Sequence, residues 1–457
     1  SESQPWNPPA EVKEDRDLAP EQLPSAAESI PAGKVWDLAN LVDFALRNNP
    51  RTKLSWLAAQ AAEASLGSEN GAFYPQLDLA VPADWSYGSL NSPDEHWRVA
   101  GGPQVSLSYL LLDGGGRQAS AEEAKYALVA ANWNHNTTIQ NVAFLVIQSY
   151  FLYQESKAIV QAEELAVKEA RTVLEAANER HRAGVATIAD VLQSEAALSQ
   201  AELALQTTNG YLRTLQGGLA TAVGLPANMP LQILAVPLEL PPGLASREVD
   251  QLIQEAIARR PEIEAARAQI RGAEAHVRAV RSQGGPTVSL FGDTGAFYNT
   301  YWENLLDGHS VGISLRFPLF TGYSHTFNVI RAEREQAQAR EELRQLEQVV
   351  TLDVWTAYYA LETATLKLKT TDDLLRSATQ SYEVTLGRYQ SGVGDIIDTV
   401  TAQRTLEDAR AQKVRAKADW FLSMAQLVRA VGQLDSESGR LTPVPAAASD
   451  PGSTGKE

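Results

Sequence analysis

The chain has 457 residues, no cysteine and a formal net charge of −17, which excludes disulfides, thiolate metal sites and cysteine nucleophiles. The acidic surplus argues against nucleic acid as a partner, because phosphate binding needs clustered Lys and Arg, and it suits a passage that attracts cations. The strongest short apolar run, VAFLVI at 142–147, cannot span a bilayer, so any membrane crossing requires a closed β-barrel.

By length this is a two- or three-domain protein, a prior that internal repetition overrides. Residues 1–34 hold six prolines and excess acid and are expected to form an extended N-terminal tail. The chain opens without the charged and apolar regions of a signal peptide, so any such signal is expected to have been removed. From 36 to 71 the sequence is rich in Ala and Leu, interrupted by Pro50 and Gly67, and predicts a helix. Strand-like stretches follow at about 76–89 and 99–112. In the second, Val105, Leu107, Tyr109 and Leu111 alternate with Gln104, Ser106 and Ser108, the pattern of a strand with one apolar and one polar face. No proline occurs from Gly114 to Ala183, which predicts one very long helix over about 114–183, a turn at 184–187 and a returning helix to about 223. Val191, Leu198, Leu205, Leu212 and Leu219 recur at heptad spacing, a seam for close helix pairing.

The second half repeats this order. ALRNNP (45–50) lies over AIARRP (256–261), 211 residues on; from Gly114 over Gly322 the offset is 208, carrying Tyr150 over Tyr358, Gly184 over Gly392 and Asp190 over Asp398. A linker at 225–245 separates repeats 35–224 and 246–433. Residues 434–457, rich in Pro, Ser, Gly and Ala, are expected to be a disordered tail. The second repeat predicts a helix over 247–283, strands at about 287–300 and 310–320, a long helix over about 322–391 and a turn at 392–395. Val311, Ile313, Leu315 and Phe317 alternate with Ser310, Gly312, Ser314 and Arg316. Ala402, Ala409, Ala416, Ser423 and Ala430 form the second heptad seam. In each half two short helices end to end match one long helix, which predicts a wall of paired helices.

Four strands cannot close a barrel, which takes about eight, and bare edges invite aggregation. A cyclic oligomer is therefore implied; three chains would give twelve strands, although sequence alone does not choose three over two or four. Aromatic residues near the strand ends (Trp85, Tyr87, Trp97, Phe297, Tyr298, Tyr301 and Trp302) fit interfacial girdles. Two competing readings are an ordinary half-buried sheet and a soluble coiled-coil scaffold, which accounts for the helices and leaves the amphipathic strands unexplained. The six histidines lack metal-ligand spacing. DGGGR at 113–117 lacks the Gly-Lys-Ser/Thr ending of a phosphate loop, and no nucleophile with base and orienter stands out. No catalytic residue, metal or cofactor is expected.

The duplicated order resembles the TolC-type outer-membrane efflux proteins (outer membrane factors) over about residues 35–433. The likeness is carried by the doubled opening Ala45, Leu46, Asn49, Pro50, by the strand-to-helix corners LLDGGGR and LFTGYSH, and by the doubled Gly-Val-x-x-Ile-x-Asp breaks. It implies an α-helical barrel plus a transmembrane β-barrel, with four strands per protomer and twelve in a homotrimer. It places the barrel in the outer membrane of a Gram-negative bacterium and the helical tunnel in the periplasm. The implied function is a passive exit duct for small molecules such as drugs, or for secreted proteins. The implied partners are a periplasmic adaptor, an inner-membrane transporter and outer-membrane lipid. The breaks would be periplasmic tip turns. There Tyr389 matches a gate tyrosine, Asp190 its aspartate partner and Asp398 an acidic residue of the constriction. Gly184, Val185, Gly392, Val393, Arg180 and Arg388 would meet the adaptor. Gly394 and Thr401 stand where some members carry a gate arginine and a second lumen aspartate, which implies a gate short of one ion pair, with Asp395 supplying acidity. Loosening the contact of Tyr389 with Asp190 is the expected opening step.

Overall fold

The structure, a computed structural model, describes residues 35–87, 97–234, 248–299 and 304–434. The chain opens with a two-residue strand β1 (Val35–Trp36), which pairs in parallel with β6 (Gln232–Ile233). Helix α1 (Leu38–Asn48) starts on Asp37, whose carboxylate accepts the Asn40 N–H at 2.7 Å and so satisfies one of the orphan donors of the first turn. It ends at Asn49 in an extended conformation, because the residue before a proline is disfavoured from helix. Pro50 then opens α2 (Pro50–Gly71), where its missing N–H costs nothing. The helix expected over 36–71 is thus two helices. The same break recurs at Arg260 and Pro261, between α5 (Val249–Arg259) and α6 (Pro261–Ser282).

The long helices α3 (Gly116–Arg182) and α7 (Ser324–Gln390) have 67 residues each. Each is followed by a shorter helix, α4 (Ile188–Ala222) or α8 (Ile396–Val431). At the corner before α3, Asp113 accepts the N–H groups of Gly115 (3.2 Å) and Arg117 (2.6 Å), and Gly114 and Gly115 both have positive φ. The corresponding corner before α7 puts Gly322 and Tyr323 in the left-handed region, a placement that costs a tyrosine about 1 kcal/mol.

Two compact units divide the chain, one of Ser1–Ser55, His135–Pro261 and Glu347–Glu457, the other of Trp56–Asn134 and Glu262–Leu346. The first unit has a core of helix-borne side chains. Phe151 stacks on Phe421 with ring centroids 5.2 Å apart, Tyr150 is fully buried with its hydroxyl donating to Leu234 O at 3.2 Å, and Trp420 donates to Thr365 at 3.0 Å. Further along α3, α7 and α8, Glu169 takes a two-pronged ion pair from Arg410 at 2.7 and 2.8 Å.

In the second unit α6 buries Val277 and Val280 against Ala332 of α7, flanked by ion pairs of Arg278 with Glu122 and of Arg340 with Glu274. This unit also holds one antiparallel sheet. Its segments are β2 (Gln76–Ala80), β3 (Ala83–Tyr87), β4 (Trp97–Gly101), β5 (Gln104–Leu112), β7 (Thr287–Asn299) and β8 (Asn304–Arg316). The two strands expected in the first half are each split in two, at Pro82 and Pro103, because a proline cannot donate to the ladder. Their carbonyls carry the pairing across the break: Pro82 O accepts Gly102 N–H and Pro103 O accepts Ala296 N–H, both at 3.1 Å. The strand expected at 310–320 instead runs Asn304–Arg316, so that Phe317, Leu319 and Phe320 lie beyond it and are exposed. β2 pairs β5, β3 pairs β4, β4 and β5 pair β7, and β7 pairs β8.

This register puts Leu77 beside Leu107, Leu79 beside Val105, Tyr109 beside Leu290, and Leu290 beside Ile313. Directly opposed residues share a face, so the sheet has one continuous apolar face. Leu77, Leu79, Val311, Ile313 and Leu315 on it are 69–83% exposed. Asp78, Ser106, Asp293 and Ser310 share the other face.

The tails expected at 1–34 and 435–457, most of the linker (235–245), Tyr301 and Trp302 lie outside the described residues, as do the side chains of Trp97 and Phe297. Among the described residues no helix is long and apolar enough to cross a membrane.

Candidate functional site

The two Gly-containing breaks have the same backbone construction. At the end of α3, Gly184 has φ +75°, Gly184 N–H reaches His181 O at 2.9 Å and Val185 N–H reaches Arg180 O at 3.0 Å. At the end of α7, Gly392 has φ +86°, with Gly392 N–H on Tyr389 O and Val393 N–H on Arg388 O, both at 3.0 Å. This pair of bonds around a left-handed glycine is the Schellman closure of a helix, and it explains why both positions must be glycine. The following helices restart on side-chain caps. Thr187 accepts Asp190 N–H at 3.4 Å and donates to the Asp190 carboxylate at 2.6 Å, while Asp395 accepts Ile397 N–H at 3.0 Å. Asp190 and Asp398 both lie in the first turn of their helices, where the macrodipole favours negative charge.

Behind the two turns one apolar cluster joins Val173 and Ala177 of α3, Val191 and Ala197 of α4, Tyr382 and Tyr389 of α7, and Ile396, Val400 and Leu406 of α8. The breaks of the two halves therefore meet. Val185 (65% exposed) and Val393 (71%) project from the turns, and Asp398 and Arg388 are exposed beside them. Tyr389 is 1% exposed.

Within the chain the contact expected between Tyr389 and Asp190 is not made by a hydrogen bond. Tyr389 Oη has no hydrogen-bond partner among the described residues, and the Asp190 carboxylate is held by Thr187. Burial, then the nearby Asp190 charge, push the Tyr389 hydroxyl pKa above its usual value against the opposing pull of Arg180. Arg180, expected to meet the adaptor, is half-buried. It donates to Tyr389 O, and its guanidinium lies over the Tyr389 ring, 4.6 Å from the centroid.

Of the two positions expected to depart from the pattern of the resembled family, Gly394 is sterically constrained. A Cβ on Gly394 would lie 2.8 Å from Tyr389 N and 3.0 Å from Arg388 C, so no side chain fits there without a shift of the turn. The Thr401 hydroxyl is taken up by Ile397 O at 2.7 Å.

A second polar cluster behind the turns escaped the sequence reading. The Glu169 and Arg410 pair, Tyr382, and Glu407 with its bond from Gln403 at 3.0 Å draw on α3, α7 and α8. Tyr382 lies seven residues before Tyr389, the one signal that could have marked it for the same helix face. Its hydroxyl is pushed up to about 12, chiefly by burial and then by Glu169. Burial likewise raises Glu407 above the usual carboxylate range, as it does Glu155 and Glu163 elsewhere in the same unit. A carboxyl whose folded pKa is raised binds its proton more tightly folded than unfolded, so its contribution to stability grows as pH falls through the raised value. The Glu407→Gln variant is therefore expected to melt above the wild type at neutral pH, with the gap closing on acidification toward the ordinary carboxylate range. A gap that widens in acid would contradict this.

No cluster of His, Asp and Glu among the described residues could hold a metal ion. The sequence profile of the outer membrane efflux protein family matches residues 41–225 and 252–433. The chain is 30% identical over 416 residues to protein CyaE of Bordetella pertussis, covering 88% of this chain and 86% of that protein. It is 27% identical over 445 residues to the outer membrane protein TolC of Vibrio cholerae, covering 90% and 95%. The crystal structure of the outer membrane protein VceC from Vibrio cholerae superposes with a TM-score of 0.74 at 20% identity, covering 86% of this chain and 96% of that one. With the profile spanning both repeats and most of the chain, the protein belongs to the outer membrane efflux protein family and is located in the outer membrane.

Proposed function

We infer that this protein is the exit duct of a tripartite efflux or secretion system, a passive trimeric channel whose periplasmic end is gated by the two tip turns and which exports small molecules. The observation that carries the reading is the amphipathic sheet: its apolar face has no protein layer over it, and its β2 and β8 edges have no partner among the described residues. A bilayer and sister copies would cover both, closing twelve strands into a ring. Members of the family are trimers that act with an adaptor and an inner-membrane pump, and those partners are proposed for this chain. Asp190, Asp395 and Asp398 supply the acidity of the constriction and Tyr389 its apolar packing. The exposed Val185 and Val393, with Gly184, Gly392 and Arg388, form the surface offered to the adaptor.

Purified protein should require detergent and form channels of low conductance in planar bilayers. Loosening the tip with Asp190→Ala together with Tyr389→Ala should raise the open fraction about tenfold, the yield of a ~1.4 kcal/mol shift in a two-state balance. Detergent-independent solubility without channels would favour the coiled-coil scaffold instead. Channels that are unchanged by the double substitution would remove the gate from these turns.

A further inference from the structure

We propose that Arg180 is the clasp that locks the first tip turn to the second, acting on the ring face and main-chain carbonyl of Tyr389. The proposal rests on the gated-duct reading and adds to it the group that holds the gate shut.

Arg180 stands in the last turn of α3, and its side chain leaves its own helix for the other half of the chain. Two contacts and one close approach mark where it goes. Nη1 donates to Tyr389 O, the guanidinium carbon lies 4.6 Å from the Tyr389 ring centroid, and Nη1 is the atom nearest to a Cβ built on Gly392, at 3.9 Å. Tyr389 O already accepts the Gly392 N–H that closes α7, so the arginine binds the carbonyl around which the second turn is folded. The end of a helix carries partial negative charge, and the face of an aromatic ring attracts a cation; a guanidinium satisfies both at once because it is planar and has several donors. Arg180 has no carboxylate partner among the described residues, so its charge is answered at this one place.

The pseudo-repeat provides an internal control. Arg388 occupies the matching position in the second half, yet it is exposed and makes no side-chain hydrogen bond or ion pair among the described residues. Its counterpart target is the carbonyl of His181, whose ring is engaged at home with Ala186 O at 3.0 Å. The clasp runs in one direction only, from the first tip to the second.

This arrangement separates two parts of Tyr389. The ring and carbonyl do the holding, while the hydroxyl has no partner. Single-channel recording on the full chain tests this directly, with the Asp190→Ala and Tyr389→Ala pair as the reference opening lesion. Arg180→Ala and Tyr389→Leu should each raise the open fraction roughly ten- to a hundredfold, Arg180→Lys should restore part of the closure, and Tyr389→Phe should behave as wild type. Combining Arg180→Ala with Tyr389→Leu should add little to Arg180→Ala alone, since the arginine substitution already removes the ring contact together with the carbonyl bond. Because each lesion is read as a gain in conductance, a variant that failed to fold would produce no channels and could not mimic the result. If the reference pair opens the channel while Arg180→Ala does not, the clasp is wrong and the gate stands. Tyr389→Phe opening as far as Tyr389→Leu would give the work to the hydroxyl and overturn the proposal. Failure of the reference pair itself would overturn the gate.

Discussion

Replacing Arg410 with alanine is expected to destabilise the helical unit by about 3 kcal/mol, the cost of leaving one member of a mostly desolvated ion pair alone. Arg410 and Glu169 meet through two hydrogen bonds at 2.7 and 2.8 Å, with side chains only 18% and 17% exposed. Without the arginine, the Glu169 carboxylate would be left beside Tyr382 and Glu407, on both of which its charge acts, with no ion-pair partner among the described residues. Glu407 is already pushed above the usual range by burial and, among other charges, by Glu169. The desolvation argument also specifies a rescue. Removing both charges together, as Arg410→Met with Glu169→Leu, should recover most of the loss, because the pair contributes little beyond its own desolvation cost. Thermal unfolding of the two singles and the double decides the matter. An Arg410→Ala midpoint equal to that of the wild type would mean that water already reaches the pair.

The second large effect is expected at Gly224. It ends α4 with φ +90°, and a Cβ there would lie 3.0 Å from both Asn48 O and Asn49 Cα. Both are main-chain atoms, and neither can swing aside. They are held close because the buried Asn49 side chain donates to Ala222 O at 2.8 Å, tying the start of α2 to the end of α4. Gly224→Ala should therefore cost about 3 kcal/mol, combining left-handed strain with overpacking. Gly432 is its repeat-mate, with φ +79°. Its virtual Cβ meets Arg260 no closer than 3.3 Å, at a side-chain carbon. Gly432→Ala should cost the backbone strain alone, about 1–2 kcal/mol. Equal losses at the two positions would show that strain dominates and the Asn49 contact does not.

The comparison of these joints also shows what the sequence could reveal. Pro50 and Pro261 were visible as repeated letters, and the helix breaks they cause follow from local sterics; reading through Pro50 as one helix gave too little weight to the residue before it. Gly184 and Gly392 announced the turns because only glycine occupies the left-handed region without strain. The splits at Pro82 and Pro103 were hidden by the alternation of the surrounding residues, which survives a two-residue interruption. Arg180 was not readable at all. Its role depends on a side chain crossing to a residue 209 positions away, and nothing in the local pattern distinguishes it from Arg388, which stays in solvent. Likewise Glu169 and Arg410 sit in charge-rich helical stretches that look like ordinary wetted faces until three helices are brought together.

The sheet's two margins, unpaired among the described residues, are unlike. One is interrupted at Pro82, between β2 and β3, and the other, β8, runs 13 residues without a break. Copies that join margin to margin head to tail, as the proposed ring requires, would each present the straight side to the next one's kinked side, an arrangement with a handed sense of circulation. Because the four stretches run alternately up and down, the seam in such a ring would again be antiparallel with every copy pointing the same way. An odd number of stretches would have forced a parallel seam or an inverted neighbour.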